Sequence, residues 1–174
     1  MTTIRTALSR IIVVISLVVA ISPSPRAGEG LLEPVGKVIL TVSGKISSKN
    51  VGDTAQFDSQ MLESLGMTMI FTSTPWYKEP VNFEGVLLEK LMKVIGASGY
   101  SLVAVALNDY TTEIPIEDLS KYRPILALKR NNEYMSVRDK GPLFIVYPFD
   151  EKPELKSQLY YGRSAWQVFK LVVK

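Results

Sequence analysis

The residues best suited to chemistry lie in three stretches: hydroxyl and aromatic side chains near residue 75, an Asp-Tyr pair at residues 109 and 110, and a Tyr-Gly-Arg-Ser run near residue 162. Tyrosines beside an arginine suit an anion or a planar ligand, because a guanidinium pairs with oxyanions and stacks on rings. The candidate ligand-binding residues are Ser73, Thr74, Trp76, Tyr77, Asp109, Tyr110, Tyr161, Arg163 and Ser164.

Several of these residues have a purely structural interpretation as well. Trp76 and Trp166 are typical of core aromatics whose indole N–H is satisfied. Asp109 follows an asparagine and is typical of a turn. Arg163 could be an exposed loop arginine, and Arg130, next to two asparagines, is typical of a solvated hairpin tip.

The composition excludes several catalytic classes. The 174-residue chain contains no Cys and no His, which removes a thiolate nucleophile, a Ser-His pair, a His general base, a disulfide framework and a structural zinc site. The carboxylate pairs Asp109/Glu113 and Glu117/Asp118 lack a signature motif, and the second pair favours a helix N-terminus. We therefore predict no catalytic and no metal-binding residues.

Apolar periodicity predicts an α+β fold of mixed, mainly antiparallel sheets with short helices. Strands are predicted at residues 38–42, 67–72, 102–107, 110–116, 124–129, 143–147 and 166–173. Helices are predicted at residues 57–65, 85–95 and 116–122. Asp58 and Gly66 would begin and end the first helix, and Asn131-Asn132 suits a hairpin turn. Residues 44–53, 72–80 and 150–158 are predicted loops.

The N-terminus resembles a secretory signal. Arg5 and Arg10 precede an apolar run at residues 11–21, which is shorter than the ~20 residues that a spanning helix needs. The arginines are not adjacent, so this is not a twin-arginine signal. We predict a signal peptide at residues 1–27, a single domain at residues 28–174 without a stable membrane span, and a periplasmic or secreted location. An uncleaved N-terminal anchor is the alternative.

The formal net charge of +3 comes from the predicted signal segment. Residues 28–174 carry 17 basic and 17 acidic side chains. A nucleic-acid-binding domain needs a basic patch, so we predict no nucleic-acid partner.

Five short motifs follow one another along the chain: Thr74-Pro75-Trp76, Phe83-Glu84-Gly85-Val86-Leu87-Leu88, Asn108-Asp109-Tyr110, Gly141-Pro142-Leu143 and Tyr147-Pro148. Their order and spacing resemble the sulfite-oxidase-type molybdopterin-binding domain. In that family an aromatic-x-Gly-x-x-Leu segment opens a helix and an Asp-x-Tyr turn follows a buried strand. The resemblance extends over residues 38–173 and implies a mixed α/β fold and an oxidoreductase ancestry.

The chain departs from the family where the cofactor would bind. The resemblance implies a Cys ligand to molybdenum upstream of the aromatic-Gly segment, and only the hydroxyls of residues 72–74 are available there, which are poorer ligands. Phe144 stands where catalytic members carry a basic residue, Lys140 replaces a His, and Ala165 replaces a Lys. Exported members that carry molybdopterin use the twin-arginine route. We therefore expect no cofactor, or molybdopterin if the family activity is retained.

Three functions remain open. The first, which we favour, is an exported, non-catalytic domain that binds a small anionic or planar ligand, or an exported or membrane partner protein, in a cleft near residues 72–76 and 160–164. The second is a molybdopterin-dependent oxidoreductase that holds its cofactor without a thiolate. The third is a structural or assembly protein with a closed cleft and an exposed apolar patch or edge strand.

Overall fold

A computed structural model describes residues 30–174. The predicted signal peptide and its boundary with the domain lie outside the described residues. Within the described range, no helix is both long enough and apolar enough to cross a membrane.

Residues 30–174 form ten strands and four short helices. The strands are β1 (Leu40–Gly44), β2 (Ala55–Phe57), β3 (Thr68–Thr72), β4 (Val81–Leu87), β5 (Ser101–Ala106), β6 (Thr111–Pro115), β7 (Ile125–Arg130), β8 (Glu133–Tyr134), β9 (Phe144–Val146) and β10 (Val168–Val173). The helices are α1 (Ser59–Ser64), α2 (Leu88–Val94), α3 (Ile116–Tyr122) and α4 (Gln158–Arg163). Two 3-10 turns occupy Val137–Asp139 and Pro153–Leu155.

The strands form two sheets. The first has the order β2-β1-β10-β5-β6, and the second has the order β3-β4-β7-β8, with β9 also pairing with β7. The β1–β10 pair is parallel and the remaining pairs are antiparallel. This arrangement confirms the predicted α+β class of mainly antiparallel sheets with short helices.

Several helices and turns lie where the local sequence predicted them. The Asp58 carboxylate accepts a hydrogen bond from the Met61 backbone N–H at 2.8 Å, so it caps α1 as predicted. Gly66 follows α1 with φ +93°, a conformation that glycine adopts without strain. The predicted helix at residues 116–122 matches α3 at both ends. Asn131 and Asn132 have φ of 50° and 69° and turn the chain between β7 and β8.

The predicted helix at residues 85–95 is wrong over its first turn. Residues 85–87 belong to β4, and α2 begins only at Leu88. Gly85 lies against the backbone of β7, where an added Cβ would be 2.1 Å from the Leu126 carbonyl oxygen. Tertiary pairing of β4 with β3 and β7 therefore overrides the helical spacing of the leucines. Glu89 and Lys93 form an i, i+4 ion pair in α2 at 3.0 Å.

Three short elements were missed. Residues 55–57 form β2, which pairs antiparallel with β1, although Phe57 was assigned to a helix. Residues 133–134 form β8, which pairs with β7 after the predicted turn. Residues 158–163 form α4, which was not among the predicted helices. Apolar periodicity is weak over two to six residues.

Two clusters of buried side chains lie against the sheets. The larger includes Leu40, Leu102 and Leu171, and the smaller includes Phe83 and Phe144. Trp76 packs against both clusters from the loop between β3 and β4. This contact places the loop where the two sheets meet.

Candidate functional site

A cleft of about 400 Å³ lies between the β3–β4 loop, the β5–β6 turn and α4 with the segment that follows it. These segments are distant in sequence and meet only in the folded chain. The lining residues are Pro75 and Trp76 from the loop, Asn108 and Tyr110 from the turn, and Gln158, Tyr161, Gly162, Ser164, Ala165 and Trp166 from the third segment.

Backbone hydrogen bonds hold the third segment beside the second sheet. The Ile145 N–H in β9 donates to the Ala165 carbonyl at 2.9 Å, and Phe144 forms an isolated bridge with Trp166. On the other side, the Tyr110 hydroxyl donates to the Gly162 carbonyl at 2.7 Å. The cleft wall is therefore attached both to β9 and to the β5–β6 turn.

Aromatic rings that meet edge to face dominate the lining. The ring centroid of Trp76 lies 6.1 Å from that of Tyr161 and 5.4 Å from that of Trp166, with interplanar angles of 77° and 74°. Behind Trp76, the buried Phe144 ring lies at 5.4 Å. The chain has two tryptophans, and both line this cleft. Trp76, Tyr161 and Trp166 are each partly exposed, so another aromatic group can contact them from the cleft.

The polar groups of the lining are uncharged. The exposed side-chain amides of Asn108 and Gln158 lie on opposite segments of the cleft. The buried Ser164 hydroxyl donates to the Tyr160 carbonyl at 2.9 Å, so its proton is already used. No charged side chain belongs to the lining as the described residues form it. The cleft therefore offers neutral hydrogen-bonding groups around an apolar, aromatic interior.

The structure brings four of the nine candidate residues into the cleft and leaves five outside the lining. Those in the lining are Trp76, Tyr110, Tyr161 and Ser164, and those outside it are Ser73, Thr74, Tyr77, Asp109 and Arg163. Sequence reasoning missed Asn108 and Gln158 and assigned Trp166 to a core role. The i, i+3, i+4 spacing of Gln158, Tyr161 and Gly162 would have grouped them on one helix face had α4 been predicted.

Arg163 lies in an ion pair and is not a cleft residue. Its Nη1 is 2.7 Å from Asp118 Oδ2, and the two side chains are only 17% and 10% exposed. The Tyr147 hydroxyl donates to the same oxygen at 2.9 Å. Burial, with the Asp118 charge, raises the pKa of Tyr147 far above its usual value. This arrangement links α4 to α3, so Arg163 supports the cleft wall from behind.

Tyr160, the residue that precedes the cleft residue Tyr161, also faces this interior network. Its hydroxyl donates to the Tyr122 hydroxyl at 2.9 Å. This hydrogen bond, together with burial, raises the pKa of Tyr160 to about 12. Tyr160 is therefore a neutral structural group at physiological pH.

The candidates Ser73 and Thr74 stabilise the β3–β4 loop. The Ser73 N–H donates to Asp150 Oδ2 at 2.6 Å, and the Thr74 hydroxyl accepts a 3.3 Å hydrogen bond from the Trp76 N–H. The Lys156 ammonium and the Ser73 N–H lower the pKa of Asp150 to about 2. This carboxylate therefore stays charged and keeps the loop in place.

The remaining two candidates outside the lining, Tyr77 and Asp109, have structural roles. The Tyr77 ring lies 4.9 Å from the Arg130 guanidinium, which is paired with Asp139. This pairing corrects the interpretation of Arg130 as a merely solvated hairpin residue. Asp109 has φ 64° in the β5–β6 turn, as its turn interpretation requires.

The donor set does not fit a molybdenum ion held by a pterin. Among residues 30–174 no group of His, Cys, Asp and Glu could hold a metal ion. The Thr72 hydroxyl is fully buried and accepts a hydrogen bond from the Asp150 N–H at 3.1 Å. Phe144 is buried against Phe83 and Trp166, and it supplies neither a donor nor a positive charge for a phosphate.

No protein-family model matches the chain, and no curated protein matches it. Among solved structures, the chain is similar to the sulfane dehydrogenase SoxCD from Paracoccus pantotrophus, with a TM-score of 0.57 and 18% sequence identity. The match covers 77% of this chain and 37% of that chain, so this chain spans well under half of it. At this identity the likeness shows the fold alone.

Proposed function

We propose that this chain is an exported, cofactor-free domain that binds a small ligand in the cleft and catalyses no reaction. The observation that carries the proposal is the lining of the cleft, which is aromatic and lacks a charged side chain among the described residues. Its volume of about 400 Å³ lies within the range of small-molecule sites, about 300–1,000 Å³.

The residues around the cleft argue against the oxidoreductase alternative. A pterin phosphate needs cations or several hydrogen-bond donors, and molybdenum needs a soft or anionic ligand. Arg163 is paired with Asp118, and Arg130 is paired with Asp139. The chain offers aromatic carbon where the resemblance implies a basic residue, as at Phe144.

The proposed export rests on the sequence. The apolar run at residues 11–21 has the length of a signal segment, and the two preceding arginines are separated. Such a signal favours transport of an unfolded chain. A cofactor inserted before transport would not survive that route, which agrees with the cleft chemistry.

An open cleft also favours ligand binding over a purely structural role. We expected a structural or assembly protein to have this cleft closed. The cleft instead presents the exposed side chains of Tyr110 and Gln158. These groups are accessible to a ligand from solvent.

The test is an analysis of molybdenum and pterin in protein purified from the exported fraction of its native host. We expect neither molybdenum nor pterin in stoichiometric amount, by elemental analysis and by pterin fluorescence after oxidation. Circular dichroism establishes that the analysed protein is folded. Stoichiometric molybdenum with pterin would contradict the proposal, as would recovery of the folded protein only from the cytoplasm.

A further inference from the structure

We infer that the cleft binds an uncharged, flat aromatic compound of one or two rings, with the rings against Trp76, Tyr161 and Trp166 and a polar edge at Asn108 and Gln158. This inference rests on the proposed function and names the class of ligand. It narrows the earlier expectation of an anionic or planar ligand.

The preference for an aromatic ligand comes from the geometry of the rings. Trp76 meets Tyr161 and Trp166 at interplanar angles of 77° and 74°, and these three partly exposed rings line the cleft. Aromatic pairs favour offset or edge-to-face contact beyond what burial of their area alone provides. An aromatic ligand gains this contribution, whereas a puckered aliphatic ring of the same size has no ring quadrupole and gains only from burial of its area.

The preference for an uncharged ligand comes from the surrounding charges. A charged group that leaves water needs a paired partner, and the cleft lining provides none among the described residues. The Lys140 Nζ atom lies 5.5 Å from the Trp166 ring centroid and 5.1 Å from that of Tyr77. Lys140 is engaged with these two rings and does not itself line the cleft.

The size and polarity of the cleft define the rest of the ligand. A volume of about 400 Å³ is at the lower end of the range for small-molecule sites and suits one or two rings. The Gln158 side chain carries a donor and an acceptor, and the Asn108 side chain offers its N–H donors while its oxygen accepts a 3.3 Å hydrogen bond from the Tyr110 N–H. These two side chains can bind the edge of an amide or a heterocycle that carries both a hydrogen-bond donor and an acceptor.

Four probes of matched size separate planarity from charge: benzamide, benzoate, benzylammonium and cyclohexanecarboxamide. Both tryptophans of the chain line the cleft, so quenching of tryptophan fluorescence reports on it directly. We expect saturable quenching by benzamide, and binding of benzoate and benzylammonium at least about tenfold weaker because each must bury an unpaired charge. Cyclohexanecarboxamide is expected to bind at least about threefold more weakly than benzamide.

The inference is overturned if benzoate or benzylammonium binds as tightly as benzamide, if cyclohexanecarboxamide does, or if benzamide shows no saturable binding. Tighter binding of benzoate that is lost in Lys140→Gln would assign the cleft to anionic aromatic compounds instead. These outcomes differ from the failure of the proposed function, which the molybdenum and pterin content decides.

A substitution at Gly162 tests whether benzamide binds in the cleft. An added Cβ at Gly162 meets nothing closer than the Tyr110 hydroxyl at 3.8 Å, so Gly162→Leu fills cleft space without a backbone clash. We expect benzamide binding to weaken at least about tenfold. Gly30→Leu is the matched control, because a Cβ there has nothing within 4 Å and Gly30 is not a lining residue. Unchanged affinity in folded Gly162→Leu would contradict the inference.

A second variant covers the case in which Gly162→Leu does not fold. Gln158 is exposed, so Gln158→Ala removes one amide of the lining without a buried contact. We expect benzamide to bind about threefold weaker, the loss of one hydrogen bond. Full wild-type affinity in this variant would overturn the assigned polar edge.

Discussion

At the scale of single residues, Arg163 shows how tertiary contacts change the interpretation of a motif. In the sequence, Tyr160, Tyr161 and Arg163 are typical of a site for an anion or a planar ligand. In the structure, Tyr161 lines the cleft, while Arg163 pairs with Asp118 behind it. A partly buried ion pair is costly to break on one side, because the remaining charge then lacks a partner. Arg163 is therefore a positioning residue for α4.

Removing the Arg163 side chain should destabilise the fold. We expect Arg163→Ala to lower the free energy of unfolding by about 3 kcal/mol, because the Asp118 carboxylate loses its partner in a poorly solvated site. Urea denaturation of Arg163→Ala, Asp118→Ala and the double variant measures their coupling, and the double variant should cost less than the two single changes combined.

The exposed pair in α2 provides the control for this cycle. Lys93 and Glu89 form an i, i+4 ion pair at 3.0 Å in which the Lys93 side chain is 73% exposed. Lys93→Ala should cost no more than about 0.5 kcal/mol, since solvent screens the charges. Equal effects of Arg163→Ala and Lys93→Ala would show that the Arg163–Asp118 pair has no structural role.

At the scale of elements, β4 and α4 are two of those whose type the sequence did not predict. The leucines after Gly85 have helical spacing, yet residues 85–87 pair with β3 and β7 as a strand. A register shift between Glu84 and Gly85 marks an irregularity at this point in the β4–β7 pair. Glycine is needed there because an added Cβ would lie 2.1 Å from the Leu126 carbonyl oxygen.

Two glycine-to-alanine changes test this difference between elements. Gly85→Ala should lower the free energy of unfolding by about 3 kcal/mol, because the β7 backbone must move to admit the methyl group. Gly162→Ala in α4 should be neutral or stabilising by up to about 1 kcal/mol, since alanine is the better helix former and the site is open. Thermal and urea unfolding measure both variants. A Gly85→Ala protein as stable as Gly162→Ala would rule out the close approach of β4 to β7.

At the scale of the whole molecule, the last strand completes the first sheet. β10 lies between β1 and β5, parallel to the first and antiparallel to the second. Residues near the two ends of the described chain are thus neighbours, and β10 connects the β2-β1 part of the sheet to the β5-β6 part. Leu171 of β10 is fully buried in the larger core, whereas Phe169 is 38% exposed.

Truncations in β10 should therefore have unequal effects. We expect Leu171→Ala to cost about 3 kcal/mol, within the range for a buried leucine that leaves a cavity. Phe169→Ala removes a larger side chain but should cost less than half as much, because that side chain is partly solvated in the native state. Urea denaturation compares the two. A larger loss in Phe169→Ala would place the core on the opposite face of the sheet.

The sequence by itself determined the features that depend on neighbours along the chain. The Asp58 cap, the Asn131-Asn132 turn and helix α3 follow from local hydrogen bonding and backbone preference. The lack of Cys and His decided, by composition alone, which catalytic chemistry is absent. The α+β class followed from apolar patterns averaged over many residues, which tolerate errors in single elements.

Only the tertiary structure decided which residues form the cleft. Asn108, Gln158 and Trp166 join Trp76 there because separate segments meet at the junction of the two sheets. Local periodicity carries no information on which distant side chain faces another, so the Arg163–Asp118 pair was not predictable from spacing. Because Arg163 pairs with Asp118 outside the lining, the interior of the cleft is uncharged. That electrostatic property depends on a contact between two residues that are 45 positions apart in the sequence.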